Sequence, residues 1–220
     1  LMKALAAVDR VGDRFPLWRR CSAEFSARQN LSAARVVTAA WVYCYGKIWS
    51  DSVRAMAQKV LDGEVLTNRV SLLEMLEVVL AFELEAEQPL DVGPEWHEAM
   101  HAAALEPQVD NFFMSEVMLC LDQIADSEHW HGGFEPQATV GPFIFDFLHA
   151  QTRTCITVEG LHCRRTHILK HRLVQRMDVD GEPYRAVVLR YWDWNRARRG
   201  DPRDWLVRAL NGDPRHLEDG

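Results

Sequence analysis

The stretch CITVEGLHCRRTHILKHRLVQRM, residues 155–177, changes its physical period midway. Its opening, CITVE, is apolar and β-branched and reads as a buried strand. Its close, RRTHILKHRLVQRM (164–177), reads as a basic helix whose Leu169, Leu173 and Met177 recur every four residues. YRAVVLRYWDW (184–194) is a further strand, reached through the Asp-Gly turn MDVDGEP (177–183). A strand, a helix and a strand in this order predict a crossover connection.

Working outward, PFIFDFLHA (142–150) and TRTCITVEG (152–160) are β-rich and apolar. DPRDWLVRAL (201–210) is a closing helix, with Asp201 as N-cap and Pro202 in the first helical position. The order β-β-α-β-α implies a small α/β sandwich. Before it, DSEHWHGGFEPQATVGP (126–142) is polar and rich in turn residues and reads as a linker. His129 and His131 lie in it without a third metal ligand.

Residues 1 to about 130 read as helices. LSAARVVTAAWVYCYGKI (31–48), VSLLEMLEVVLAFELEAE (70–87) and NFFMSEVMLCLDQIADS (111–127) are long and apolar on one face. Ser32, Ser71 and Ser115 stand near their starts as capping residues, 39 and 44 residues apart. DSVRAMAQKVL (51–61) and PEWHEAMHAAAL (94–105) fall between. Helix pairs recurring at roughly 40 residues suggest an α-solenoid. The expected fold is therefore a two-part α+β chain: a helical-repeat region (1–130), a linker (131–141), an α/β domain (142–212) and a tail (213–220).

Composition bounds the function. Of 220 residues, 48% are hydrophobic, enough to bury real cores. No eighteen-residue apolar run is present, so a membrane span is not expected. Five cysteines without a CxxC pair argue against a disulfide framework or a zinc ribbon and suit a reducing compartment. Leu1 precedes Met2, as in a processed or partly observed product. Asp9, Asp13 and Glu24 interrupt the early basic residues, which are not read as a transit peptide. The net charge of -7 conceals a split. Residues 1–150 carry 11 Lys and Arg against 22 Asp and Glu, whereas residues 151–210 carry 13 against 7. Contact with a polyanion is thus expected in the second part.

Two kinds of chemistry can be read there. Asp146 is the one charge in FIFDFL, and a carboxylate in so apolar a strand needs hydrogen bonds or a cation. Glu159 ends the next strand. Together they could hold a hard divalent cation, with Lys170 adding charge stabilisation and His162 donating to a phosphate or leaving group. The other reading is binding. Arg164, Arg165, Lys170, Arg172 and Arg176 cluster on one turn and helix, with Tyr191, Trp192 and Trp194 at the end of the next strand. Arginines beside aromatic faces suit single-stranded RNA. Strand alternation would also place Trp192 and Trp194 on one face, over the core against Trp205. His167 and His171 have metal-like spacing, but Ile168 stands where a zinc protease needs Glu.

Several of these elements, taken in order, resemble the RAP domain, found in FAST-kinase-domain proteins and in protist organellar RNA factors. Glu159-Gly160-Leu161-His162 looks like the family's strand-ending Asp-Gly-Pro-x-His. Leu169-Lys170-His171-Arg172 looks like its Leu-Lys-x-Arg helix. Trp192-Asp193-Trp194 looks like its aromatic-acid-Trp triplet, and a helix follows to Leu210. The resemblance spans residues 142 to 210.

It implies a fold related to the PD-(D/E)XK nucleases behind helical repeats, and work on organellar RNA. Where nuclease relatives carry Glu-x-Asp-Gly, this chain has Thr157 and Glu159, and Leu161 replaces the family proline. The expectation is a nuclease-shaped scaffold without catalysis or cofactor. It would be a component or assembly factor of the mitochondrial ribosome, touching rRNA through His162, Arg164, Arg165, Lys170, Arg172 and Arg176. The acidic helices would dock on neighbouring proteins. The alternatives are an active Mg-dependent RNA endonuclease using Asp146, Glu159 and Lys170, and a protein-interaction scaffold without RNA contact.

Overall fold

The computed structural model describes residues 31–105, 112–125, 130–160, 167–179 and 182–212. Among them the helical part runs α1 (Ala33–Tyr45), α2 (Asp51–Leu61), α3 (Arg69–Leu84), α4 (Pro94–Ala104) and α5 (Phe112–Ile124). Expected capping by serine holds only in part. Ser32 precedes α1 in extended conformation but makes no side-chain cap. Ser50 caps α2, accepting from the Val53 N–H. Asn68 caps α3 by accepting from the N–H of Ser71, so Ser71 lies inside the first turn. Ser115 lies inside α5. Asn and Ser cap equally well, and the earlier residue takes the role.

The chain divides into two compact units. One holds α1 to α4 and the segment Ile168–Leu173, and the other holds α5, the strands and the closing helices. In the first unit, α1 packs on α2 and α3, and α3 packs on α4. Tyr43, Met75, Phe82 and Met100 fill its centre. Polar contacts tie the two helix pairs together at a steady offset. Thr38 donates to Glu74 and Trp41 to Glu77, each 36 residues on. Gln58 reaches Asp91 and Trp96 reaches Gly63, each across 33.

The second unit is built on a mixed sheet of β1 (Glu135–Val140), β2 (Phe143–His149), β3 (Thr154–Glu159) and β6 (Arg185–Arg190), in that order across the sheet. β1 and β2 are antiparallel, as are β2 and β3, and β3 runs parallel to β6. The parallel pair requires a crossover. It carries α6 (His167–Val174) and a small ladder of β4 (Asp178–Val179) with β5 (Glu182–Pro183). α7 (Tyr191–Ala197) and α8 (Pro202–Asn211) complete the unit. Asp201 caps α8 through the N–H groups of Arg203 and Asp204, as expected.

Every residue of β3 is buried, which is what its unbroken apolar reading implies. Phe147, Ile156 and Leu189 from the strands pack with Phe113, Val117 and Leu121 of α5 and with Trp194 and Leu206. Three expectations need correction. The stretch read as a linker contains β1, whose Ala138 and Val140 point inward while Glu135, Pro136, Gln137 and Thr139 stay exposed. A proline and an exposed charge are what an edge strand tolerates. Residues 184–194 are a strand only to Arg190 and then turn helical as α7. α5 belongs with the sheet, because its apolar face finds partners there, so the boundary falls before α5 and not at 131–141. Among the described residues no helix is long and apolar enough to cross a membrane.

The β1–β2 connection is Gly141-Pro142. Gly141 has φ of 55°, and Pro142 fixes a negative φ, the sign pattern of a tight type II′ hairpin. A Cβ at Gly141 would also meet Met177 Sδ at 2.9 Å. Gly141→Ala is expected to lower unfolding stability by about 1–2 kcal/mol in chemical denaturation, the cost of left-handed backbone for an L-residue. Gly200→Ala, at a position with ordinary backbone and open surroundings, should change it by less than about 0.5 kcal/mol.

Candidate nucleic-acid interface

Both strand carboxylates are committed to protein partners. Asp146 is buried, and its Oδ2 accepts from the backbone N–H of Val158 on the neighbouring strand at 2.6 Å. Glu159 is buried at the end of β3, opposite Arg190 in the parallel register, with Oε2 3.6 Å from Arg190 Nε. Asp146 thus has a hydrogen bond of the kind a charge in an apolar strand requires, and Glu159 has an ion-pair partner. Among the described residues no group of three or more His, Cys, Asp or Glu is gathered for a metal ion.

The basic residues of α6 fall into two classes. Arg172 is firmly held within the first unit. Its Nε and Nη2 grip the two oxygens of Glu85 at 2.7 and 2.8 Å. Its Nη1 donates to Tyr45 O at 2.9 Å and its Nη2 to Cys44 O at 2.5 Å. A guanidinium has five N–H groups, and this arrangement uses four of them. The two carbonyls end α1, where the helix dipole favours a cation. Arg172 thus neutralises a buried acid and caps a helix, and it has little left to offer a phosphate.

Lys170 is buried in the same unit, with 7% of its surface exposed. Burial pushes the Glu77 carboxyl up to about 8. The indole N–H of Trp41, which donates to it, and the charge of Lys170 pull the other way, and Glu74 adds to the rise. The expected phosphate ligands Lys170 and Arg172 are accordingly placed among the acids of α3 and its C-cap residue Glu85. Arg176 is exposed. His162, Arg164 and Arg165 lie outside the described residues.

Among the described residues, a further run of exposed arginines lies on α7, on α8 and in the turn between them. Arg196, Arg198, Arg199, Arg203 and Arg208 are all exposed. Between Arg190 and Arg208 the chain carries six arginines against three aspartates. Arg198 pairs with Glu116 at 3.3 Å and Arg208 with Asp204 at 3.1 Å. Exposed pairs of this kind hold weakly and exchange readily for another anion.

The two tryptophans of this segment part company. On a helix, residues two apart point to nearly opposite sides. Trp194 is 2% exposed, stacks edge-on against Trp205 at 5.9 Å and donates to Glu116 at 3.0 Å. Trp192 is 61% exposed. The strand reading placed them together, and the helical turn separates them. Sequence reasoning did not single out Arg196, Arg199 and Arg203, which the fold leaves exposed; the four-residue spacing of Trp192 and Arg196 was the available signal.

A cleft of about 740 Å³ lies between α5 and the α7–α8 segment, walled by Leu119, Cys120, Arg198 and Arg203. Burial pushes the Cys120 thiol up, which keeps it protonated.

Replacing Arg172 by Met leaves Glu85, 2% exposed at its side chain, without a counter-charge and frees two helix carbonyls. Arg172→Met is expected to cost about 3–5 kcal/mol in denaturant titration, and adding Glu85→Leu should recover more than half of the loss. The raised Glu77 carboxyl gives a pH dependence. Between the ordinary carboxylate range and about 8 the folded chain holds a proton that the unfolded chain releases, so stability falls as pH rises through this window. Glu77→Gln removes that loss. Its stability relative to the parent should rise by a few kcal/mol, on that order, between about pH 5 and pH 9.

No protein-family model matches the chain, and no curated protein matches its sequence.

Proposed function

We propose that this chain is a non-catalytic RNA-binding protein of mitochondrial gene expression. In this reading it is a component or assembly factor of the mitochondrial ribosome, and a RAP-like domain follows a short array of helical repeats. It binds rRNA in the organellar matrix. The observation that carries the reading is the exposed arginine surface of α7 and α8, set on an otherwise acidic chain. Arginine forks suit phosphate, and the interleaved acids are too few to cancel them. The RAP-like run of motifs from Glu159 to Leu210 supplies the family side of the reading. The helices of the first unit, acidic on balance, serve as a docking surface for protein neighbours.

The engagement of the strand carboxylates supports the non-catalytic reading over a divalent-metal nuclease. Asp146 spends an oxygen on the Val158 amide, Glu159 faces Arg190, and Thr157 stands where a nuclease relative has a carboxylate. Lys170, the remaining member of that scheme, is within electrostatic reach of Glu77. A hard cation needs several oxygen ligands, and two acids already engaged do not supply them.

Filter binding of the full chain to RNA, read across a salt series, tests the proposal. The triple variant Arg196→Glu, Arg199→Glu, Arg203→Glu should lose at least tenfold in affinity at physiological salt. Its salt slope should fall by about 0.7 per single-strand phosphate contact removed. Unchanged affinity would sink the interface. Metal-dependent cleavage by the parent chain that vanishes in Asp146→Asn would sink the non-catalytic reading.

A further inference from the structure

Eight tryptophans are present, and in the second unit Trp130, Trp194 and Trp205 are buried. Trp192 is not, with 61% of its surface in solvent. A large aromatic left outside the core gives up the burial energy its neighbours gain. It is also not a loose side chain. Its ring packs edge-on against Tyr191 at 5.7 Å, and Tyr191 packs edge-on against Phe113 at 5.6 Å. Phe113 in turn lies 6.0 Å from Trp194, in the core. A chain of four rings thus runs from the interior to the surface, with Trp192 at its outer end.

The segment that follows that ring is rich in arginine, with Asp193 and Asp201 interleaved. Arg196 follows Trp192 by four residues within α7, which puts both on one stripe, and Arg199 lies just past the end of that helix, exposed in the turn before α8. Arg196 also lines a cleft of about 180 Å³ with Asp193, Asp201, Trp205 and Arg208. A flat apolar surface beside two cations is complementary to a nucleotide, which is a flat base joined to an anion. A double helix has its base faces already stacked and presents only edges and phosphates. An unpaired strand presents the faces.

We infer that Trp192 is a stacking platform for an unpaired base of single-stranded RNA, with Arg196 and Arg199 holding the adjoining phosphates. This rests on the RNA-binding reading above and narrows it to a form of RNA. Because the ring is already held by Tyr191, stacking costs little of its freedom, and the contact tolerates any base.

The test uses the full chain and two probes of matched length, an unstructured oligoribonucleotide and an RNA duplex. Trp192→Ala should weaken binding to the single strand about tenfold and leave duplex binding within about twofold. Trp192→Phe, which keeps a stacking face, should lie within a few-fold of the parent. The thermal melt of both variants should match the parent, since the ring contributes little to the core. If Trp192→Ala binds the single strand like the parent while Arg196→Glu/Arg199→Glu loses affinity, the platform is overturned and the RNA reading stands. A parent chain that binds neither probe overturns both and leaves α7 to a protein partner.

Discussion

The parallel pairing of β3 with β6 is the constraint on which the second unit depends. Six consecutive pairs, from Thr154 opposite Arg185 to Glu159 opposite Arg190, hold a strand whose every residue is buried. A parallel pair cannot be closed by a tight turn, so the chain must leave the sheet after Glu159 and return at Arg185. That excursion produces α6. The same pairing ends at Arg190, and the backbone turns into α7 at the next residue. The position of Trp192 and of the arginines behind it therefore follows from where the ladder stops. Glu159 and Arg190, opposite each other in the last pair, bring opposite charges together where the strands end.

Charge in the first unit obeys a different balance. A residue count makes this part of the chain strongly acidic, but part of that charge is not on the surface. Glu74 is buried, Glu85 is almost fully enclosed, and Glu77 is raised by its burial. Each is tolerable only with a partner. Thr38, Trp41 and Arg172 provide hydrogen bonds, and Lys170 and Arg172 provide charge. A buried pair of this kind adds little net stability, since desolvation offsets the attraction, but removing one member leaves the other exposed to the full desolvation cost. The pairing thus acts mainly as a specification. Only a segment with a cation at the place of Arg172 satisfies both Glu85 and the end of α1.

This explains which parts of the molecule were legible beforehand. Periodicity alone located the helices, because α2 and α4 begin and end close to where their apolar faces do. It also located β2, β3 and α6, since Leu169 and Leu173 are fully buried as their spacing demands. Strand β1 was obscured because only Ala138 and Val140 face inward, too few apolar residues to register as alternation. The helix α7 was obscured because YWDWN satisfies a period of two as well as it does a helix. The partners of Lys170 and Arg172 were beyond reach for a deeper reason. An arginine that will meet a phosphate and one that will meet Glu85, 87 residues away, are identical in their local sequence. Distance along the chain carries no signal about which anion arrives.

The consequence is a difference in accessibility between two basic segments. On composition, the crossover helix was the obvious place for a polyanion, since it concentrates Lys170, Arg172 and Arg176 in a short space. Folding takes two of these three cations into the protein, and they cease to be available to a ligand. Arg176 stays outside, as do the arginines of α7, of α8 and of the turn between them, where the carboxylate partners include surface residues such as Asp204. A phosphate competes with such a partner on nearly equal terms, because both interactions take place in water and neither strands a buried charge. It does not compete with Glu85, whose loss of Arg172 would leave a charge in a dry site. Where an external anion can bind is therefore decided less by how many cations a segment carries than by what would be left behind when they turn outward.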